Sequence, residues 1–194
     1  MEFWTKLAFL GLFLSTSFAP VFAQGRPNAP PEFTDSNLGF RYTPPPKMRD
    51  LTAIDRQTIR ERAAARGTTN TLTLLLSLRS GPDDAAADWH TIGIQTYPRE
   101  KFGTLSDRDA SVKFSHSVAG NAKEVGQPSD ITIGDFHFVV SSFELREGQL
   151  TKRARIYTTV RKGMMLSLSF SANSSDTLDG IVSSMKTFTP LEIK

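Results

Sequence analysis

Residues 136–172 read FHFVVSSFELREGQLTKRARIYTTVRKGMMLSLSFSA, and the way this stretch pairs with itself decides the fold. Apolar and polar residues alternate through it, and Gly148 and Gly163 mark two reversals, so it reads as a three-strand antiparallel meander. A two-residue turn at Glu147-Gly148 pairs Leu145 with Leu150 and sets Val139 opposite Ile156 and His137 opposite Thr158. At the second reversal a three-residue loop, Arg161-Lys162-Gly163, sets Val160 opposite Met164, Thr158 opposite Leu166 and Ile156 opposite Leu168. A two-residue loop would place Val160 beside Met165 and mix the apolar and polar faces. The longer loop predicts a main core face carrying Leu145, Val139, Ile156, Val160, Met164, Leu166, Leu168 and Phe170. The opposite face carries Phe136, Phe138, Val140 and Tyr157 among Arg153, Arg155, Ser167 and Ser169, and its aromatic residues imply a second covering layer.

Working outward, Ser174 or Ser175 caps a helix whose Leu178, Ile181, Val182 and Met185 follow the spacing of one helical face. Before the meander, Ser106 with Asp109 resembles a capping box, and Ala110, Phe114 and Val118 recur every four residues until Gly120. Thr71 to Arg79 and Trp89 to Tyr97 read as strands separated by the turn signal Gly81-Pro82-Asp83-Asp84. The first is expected to be central, because its apolar run suits burial on both faces. A helix from the cap Asp50 to Arg66, ended by Gly67, has a thin apolar face of Leu51, Ile54, Ile59 and Ala63, so it covers a sheet. Asn37 to Tyr42 is a short first strand, stopped by Pro44-Pro45-Pro46. The sum is an α+β domain, an antiparallel β-sheet with helices packed on both faces, over residues 37–194.

The chain begins with Lys6 ahead of the apolar run Leu7 to Leu14, and Val21-Phe22-Ala23 places small residues before a cut at Gln24. That is the pattern of a secretory signal peptide over residues 1–23. Cleavage leaves 171 residues with no further apolar segment able to cross a bilayer, and residues 24–36, with Pro27, Pro30 and Pro31, read as a flexible tether. The expected location is periplasmic or extracellular. The 23 basic side chains exceed the 20 acidic ones by only three, which argues against a nucleic-acid partner. The chain has no cysteine, which excludes thiol nucleophiles, iron–sulfur clusters, cysteine-ligated zinc and N-terminal lipidation at cysteine.

The order of strand, proline break, helix, two strands, helix, three-strand meander and closing helix resembles the PsbP-like α/β/α sandwich family. The resemblance rests on Leu38-Gly39-Phe40-Arg41-Tyr42-Thr43-Pro44-Pro45, on Ile133-Gly134-Asp135-Phe136-His137-Phe138, and on Gly163 through Met185 with its Leu-Ser-Leu-Ser-Phe strand. It implies an exported accessory or adaptor protein without catalysis, and it carries no functional residue over to a defined position.

Motif chemistry points the same way. No Gly-x-Ser-x-Gly elbow, Ser-x-x-Lys pair, phosphate-cradling Gly-x-x-x-x-Gly-Lys or Gly-x-Gly-x-x-Gly is present, so no catalytic or cofactor-binding residue, no metal ligand and no cofactor is assigned. Asp88-Trp89-His90 and Asp135-Phe136-His137 each place an acid and an imidazole on one strand face, which keeps a small hydrolase or metal-dependent enzyme as an alternative. A structural envelope component is the other. The binding surface expected is a strip of Arg153, Arg155, Tyr157 and Arg161 lying opposite Ser167, Ser169 and Ser171. Guanidinium forks beside hydroxyls suit an anionic ligand or an acidic protein partner of the envelope.

Overall fold

The computed structural model of the chain describes residues 32–69, 71–81 and 85–191. The signal peptide expected over residues 1–23 lies outside the described residues. Within the stretch read as a tether, Phe33–Asp35 forms strand β1, paired antiparallel with β2 (Phe40–Tyr42). The ordered fold therefore includes residues ahead of Asn37. The Pro190 end of β11 (Thr189–Pro190) joins β2 from the other side, so the two ends of the domain close in one small sheet.

The large sheet has the order β3-β4-β5-β10-β9-β8-β6, with β7 also pairing β8. Its strands are β3 (Arg49–Asp50), β4 (Thr73–Arg79), β5 (His90–Pro98), β6 (Lys123–Glu124), β7 (Ser129–Ile133), β8 (Phe136–Glu147), β9 (Leu150–Arg161) and β10 (Met164–Ala172). All the pairings are antiparallel. Helix α2 (Asp107–Ala119) lies on one face, and α3 (Ser175–Val182) lies on the other together with the small sheet. Ser106 Oγ accepts from Asp109 N at 3.1 Å and Ser174 Oγ accepts from Thr177 N at 3.1 Å, so both expected N-caps form.

The meander folds with tighter turns than the apolar pattern suggests. Glu147 pairs with Leu150 across Gly148-Gln149, which puts Val139 opposite Thr158, two residues along from the expected register and on the same face. At the second reversal the three-residue loop is overturned. Arg161 pairs with Met164 across Lys162-Gly163, both at positive φ (49° and 75°), the arrangement of a type I′ hairpin whose twist matches the flanking strands. Val160 therefore does sit beside Met165, and Leu168 lies opposite Tyr157. This one-residue difference moves Leu166, Leu168 and Phe170 to the face of Phe138 and Tyr157. Both faces are covered, so apolar residues gain burial on either, and the turn sets the register.

Strand β4 is also not central; it is second from the edge, outside β5. Its apolar run is accommodated by an irregularity between Leu74 and Leu76 and by helix α1 (Thr52–Ala65), which fastens to the strand by polar contacts. Thr52 Oγ1 accepts from Ser77 N at 2.9 Å, Ser77 Oγ donates to Asp55 Oδ2 at 2.5 Å, and Arg56 donates to the carbonyls of Leu74 and Leu75 at 2.6 and 3.0 Å. The thin apolar face of α1 follows from this duty, since it satisfies the backbone of an edge that would otherwise invite pairing.

Candidate functional site: a cleft where two strands part

Strand β8 starts at Phe136 and β9 continues to Arg161, yet among the described residues their ladder ends at Val139 opposite Thr158. The first residues of β8 turn instead toward β7, which pairs them from Ile133↔Phe136 to Ser129↔Val140. The last residues of β9 stay with β10 through the tight turn at Lys162-Gly163. Between the parted ends lies a cleft of about 340 Å³, within the range of small-molecule sites.

Its walls come from three places. Helix α2 contributes Asp107, Arg108 and Ser111; the β7–β8 hairpin contributes Asp130, Thr132, Asp135 and His137; Phe136, Phe138, Val139, Val160 and Arg161 supply the strand ends. The hairpin is held from outside, because Gly134, at φ +62°, approaches Pro190 so closely that a Cβ would stand 2.4 Å from its Cγ. Only glycine fits that turn.

Charges are paired around the rim. Arg108 Nε donates to Asp130 Oδ2 at 3.2 Å and its Nη2 to the Pro128 carbonyl at 3.2 Å, tying α2 to the hairpin. Arg99 donates to Asp107 at 2.8 Å. Arg161 crosses the gap between the strands: its guanidinium lies 4.5 Å from the Phe136 ring centroid, and its Nη2 donates to Asp135 Oδ2 at 2.6 Å. Arg161 Nε is buried and has no hydrogen-bond acceptor.

The structure breaks up the strip expected on β9. Arg153 pairs with Glu144 at 3.1 Å, Arg155 with Asp179 of α3 at 3.1 Å, and Arg161 with Asp135 in the cleft. Tyr157 is buried between Phe138 and Phe170, with ring centroids 6.2 and 5.7 Å away. Burial pushes its hydroxyl above the usual tyrosine range, and the charge and hydrogen bond of Arg155 pull it part of the way back. The serines Ser167 and Ser169 lie opposite Thr158 and Ile156 on the α2 face, so they do not line the arginine side. Of the four strip residues only Arg161 enters the cleft.

The two Asp-aromatic-His motifs do not close into acid–imidazole pairs. His90 Nδ1 meets the Asp88 backbone carbonyl at 2.7 Å, while His137 Nδ1 lies 3.0 Å from Thr132 Oγ1 and Asp135 turns to Arg161. His137 is exposed, not on a core face as the expected register placed it. Arg108, Asp130 and Ser111 were invisible to sequence reasoning, because a break in a ladder leaves no periodic trace. The one local signal was Ile133-Gly134-Asp135-Phe136, a turn followed at once by aromatic alternation.

No protein family model matches the chain, and no curated protein is similar to it. The chain is similar to several solved structures. The solution structure of cyanobacterial PsbP (CyanoP) from Synechocystis matches over 91% of this chain and 98% of that one, with a TM-score of 0.52 at 12% identity. The fold is PsbP-like. A crystal structure from Bacteroides thetaiotaomicron matches 88% of this chain with a TM-score of 0.44 at 11% identity, and the present chain spans half its length. LpqN of Mycobacterium tuberculosis, involved in cell envelope biogenesis there, matches 62% of this chain and 79% of its own, with a TM-score of 0.42 at 15% identity. At 12% identity the likeness to CyanoP is one of fold, and fold alone does not assign an activity. Among the described residues no helix is long and apolar enough to cross a membrane.

Proposed function

We propose that the protein is an exported, non-catalytic binding or accessory protein of the cell envelope, a member of the PsbP-like group, which holds its ligand or partner in the cleft between β8 and β9. Export rests on the sequence pattern of residues 1–23. The observation that carries the binding reading is the cleft itself, a recess with apolar strand ends, hydroxyls and one guanidinium with an unused donor. Such a mixture of apolar walls and a few polar groups suits recognition. A catalytic reading needs an acid oriented on an imidazole, and both candidate acids bond elsewhere or through the backbone.

The reading is tested by recovering the full chain from the exported fraction of cells that make it and weighing it under native conditions. The expected result is a stoichiometric small molecule or protein bound to wild type and lost in Arg161→Gln. The chemical conversion of any compound by the purified protein, abolished when His90 and His137 are both replaced by alanine, would sink the reading in favour of an enzyme.

A further inference from the structure

Deepening that reading, the geometry assigns to Arg161 the role of an anion-binding residue in the split-sheet cleft, with Asp135 as a built-in stand-in that a small carboxylate or phosphate compound displaces. The argument turns on which donors are in use. The side-on edge of a guanidinium presents Nε–H and one Nη2–H in parallel, and a carboxylate or phosphate can take both. Asp135 takes only the Nη2 position, through Oδ2 at 2.6 Å, while the adjacent Nε is buried without an acceptor. The fork is half used. A buried donor left unpaired is costly, and Arg161 lines the cleft, where displacing the Asp135 carboxylate would open the edge of its guanidinium.

The neighbouring charges do not compete for this role. Arg108 is engaged on both Asp130 and the Pro128 carbonyl, and Asp107 is engaged by Arg99. The group that Nε lacks is therefore an acceptor, and its seat lies beside Phe136, across whose ring the Arg161 guanidinium rests. Asp135 is more than half exposed, with 54% of its side chain open to solvent, and it sits in a turn, so giving up one bond to Arg161 returns it to water. The chemistry specified is an anionic head on a small apolar body: the head fills both positions of the fork, and the body lies against Phe138, Val139 and Val160.

The experiment titrates the mature protein with phenylacetate, with inorganic phosphate and with neutral phenylacetamide, following the arginine Nε–H resonances by NMR. The expected result is a saturable shift of the Arg161 Nε–H with at least one anion and none with the amide. Phenylacetate binding without phosphate identifies a carboxylate ligand, and the reverse identifies a phosphate. Arg161→Gln weakens binding by at least about tenfold. Asp135→Asn, which removes the competitor and keeps the turn, tightens it about two- to fivefold. An Asp135→Asn protein that keeps the wild-type fold yet binds neither anion more tightly overturns the proposal, as does saturation that Arg161→Gln leaves unchanged. A protein partner held in the cleft without any response to either anion overturns this proposal and upholds the accessory reading. Conversion of the bound phenylacetate overturns the accessory reading and leaves the role of Arg161 standing.

Discussion

Two faces of one sheet are closed by different means. Toward α3 and the small sheet, β8, β9 and β10 present Phe138, Tyr157, Leu168 and Phe170, which join Phe40, Phe136 and Phe188 in a continuous aromatic and aliphatic core. Toward α2 the same strands present Val139, Thr158 and Ser167, and β5 adds Gln95 opposite Ser167. Apolar packing on that side gathers around Phe114, Phe143, Ile156 and Met165. Between them runs a buried polar row in which Ser115 of α2 meets Thr158, Oγ to Oγ1, at 2.8 Å, while Gln95 Oε1 and Ser167 Oγ have no partner. The contrast separates what holds the domain together from what leaves room in it. The cleft lies between the parted strands and draws on both sides, with Ser111 and Val139 from the α2 side and the edges of Phe136 and Phe138 from the aromatic side.

The aromatic face should therefore bear the larger share of stability. Phe170 is fully buried at the sheet centre and meets Tyr157 edge to face at 5.7 Å. Phe170→Ala is expected to cost about 3–5 kcal/mol, measured by urea unfolding of the mature protein. A loss below about 1 kcal/mol would show that the α2 face dominates after all.

Alkaline titration separates the faces by chemistry. Tyr42, on the aromatic side, donates to or accepts from Ser184 Oγ at 2.6 Å, and burial raises its pKa well above the ordinary value against the lowering effect of the Ser184 bond. Tyr157 on the same side is raised as well. A raised folded-state pKa means that the native protein keeps protons the unfolded chain has released. Stability is whole below the unfolded value of about 10 and falls as pH rises from there toward the folded value. Tyr42 alone contributes a loss on the order of 1 kcal/mol by pH 11. Unfolding midpoints measured from pH 8 to pH 11 should fall for wild type and fall less for Tyr42→Phe; parallel curves would contradict the assignment.

Much of this contrast was legible beforehand, and its limits have physical causes. The capped helices at Ser106 and Ser174 could be read from residue type and spacing, because a cap and an apolar stripe are local properties. The aromatic character of one face could be read too. The partition of β10 could not: Leu-Ser-Leu-Ser-Phe alternates cleanly, but which set faces which layer depends on whether Lys162 accepts a positive φ, and nothing in the alternation records that. Of the site, Arg161 and the turn at Gly134-Asp135 were visible as residues. That they meet depends on β8 leaving β9 for β7, a choice made by pairing partners far apart in sequence.

Smaller effects test the polar face. Ser115→Ala removes the partner of Thr158 Oγ1 in a fully buried setting and is expected to cost about 1–2 kcal/mol. Ser167→Ala probes the same row from the opposite premise. Ser167 is fully buried, and its Oγ makes no hydrogen bond with any protein group, so folding strips water from that hydroxyl without replacing it. Deleting the oxygen removes the desolvation cost and leaves a void smaller than a methyl group. The expected change is within about 0.5 kcal/mol of zero or slightly stabilising, in the same urea assay. A loss above about 1 kcal/mol would mean that Ser167 and Gln95 share an internal water, and the row under α2 would then be a hydrated seam continuous in character with the cleft rather than a gap in an otherwise dry core.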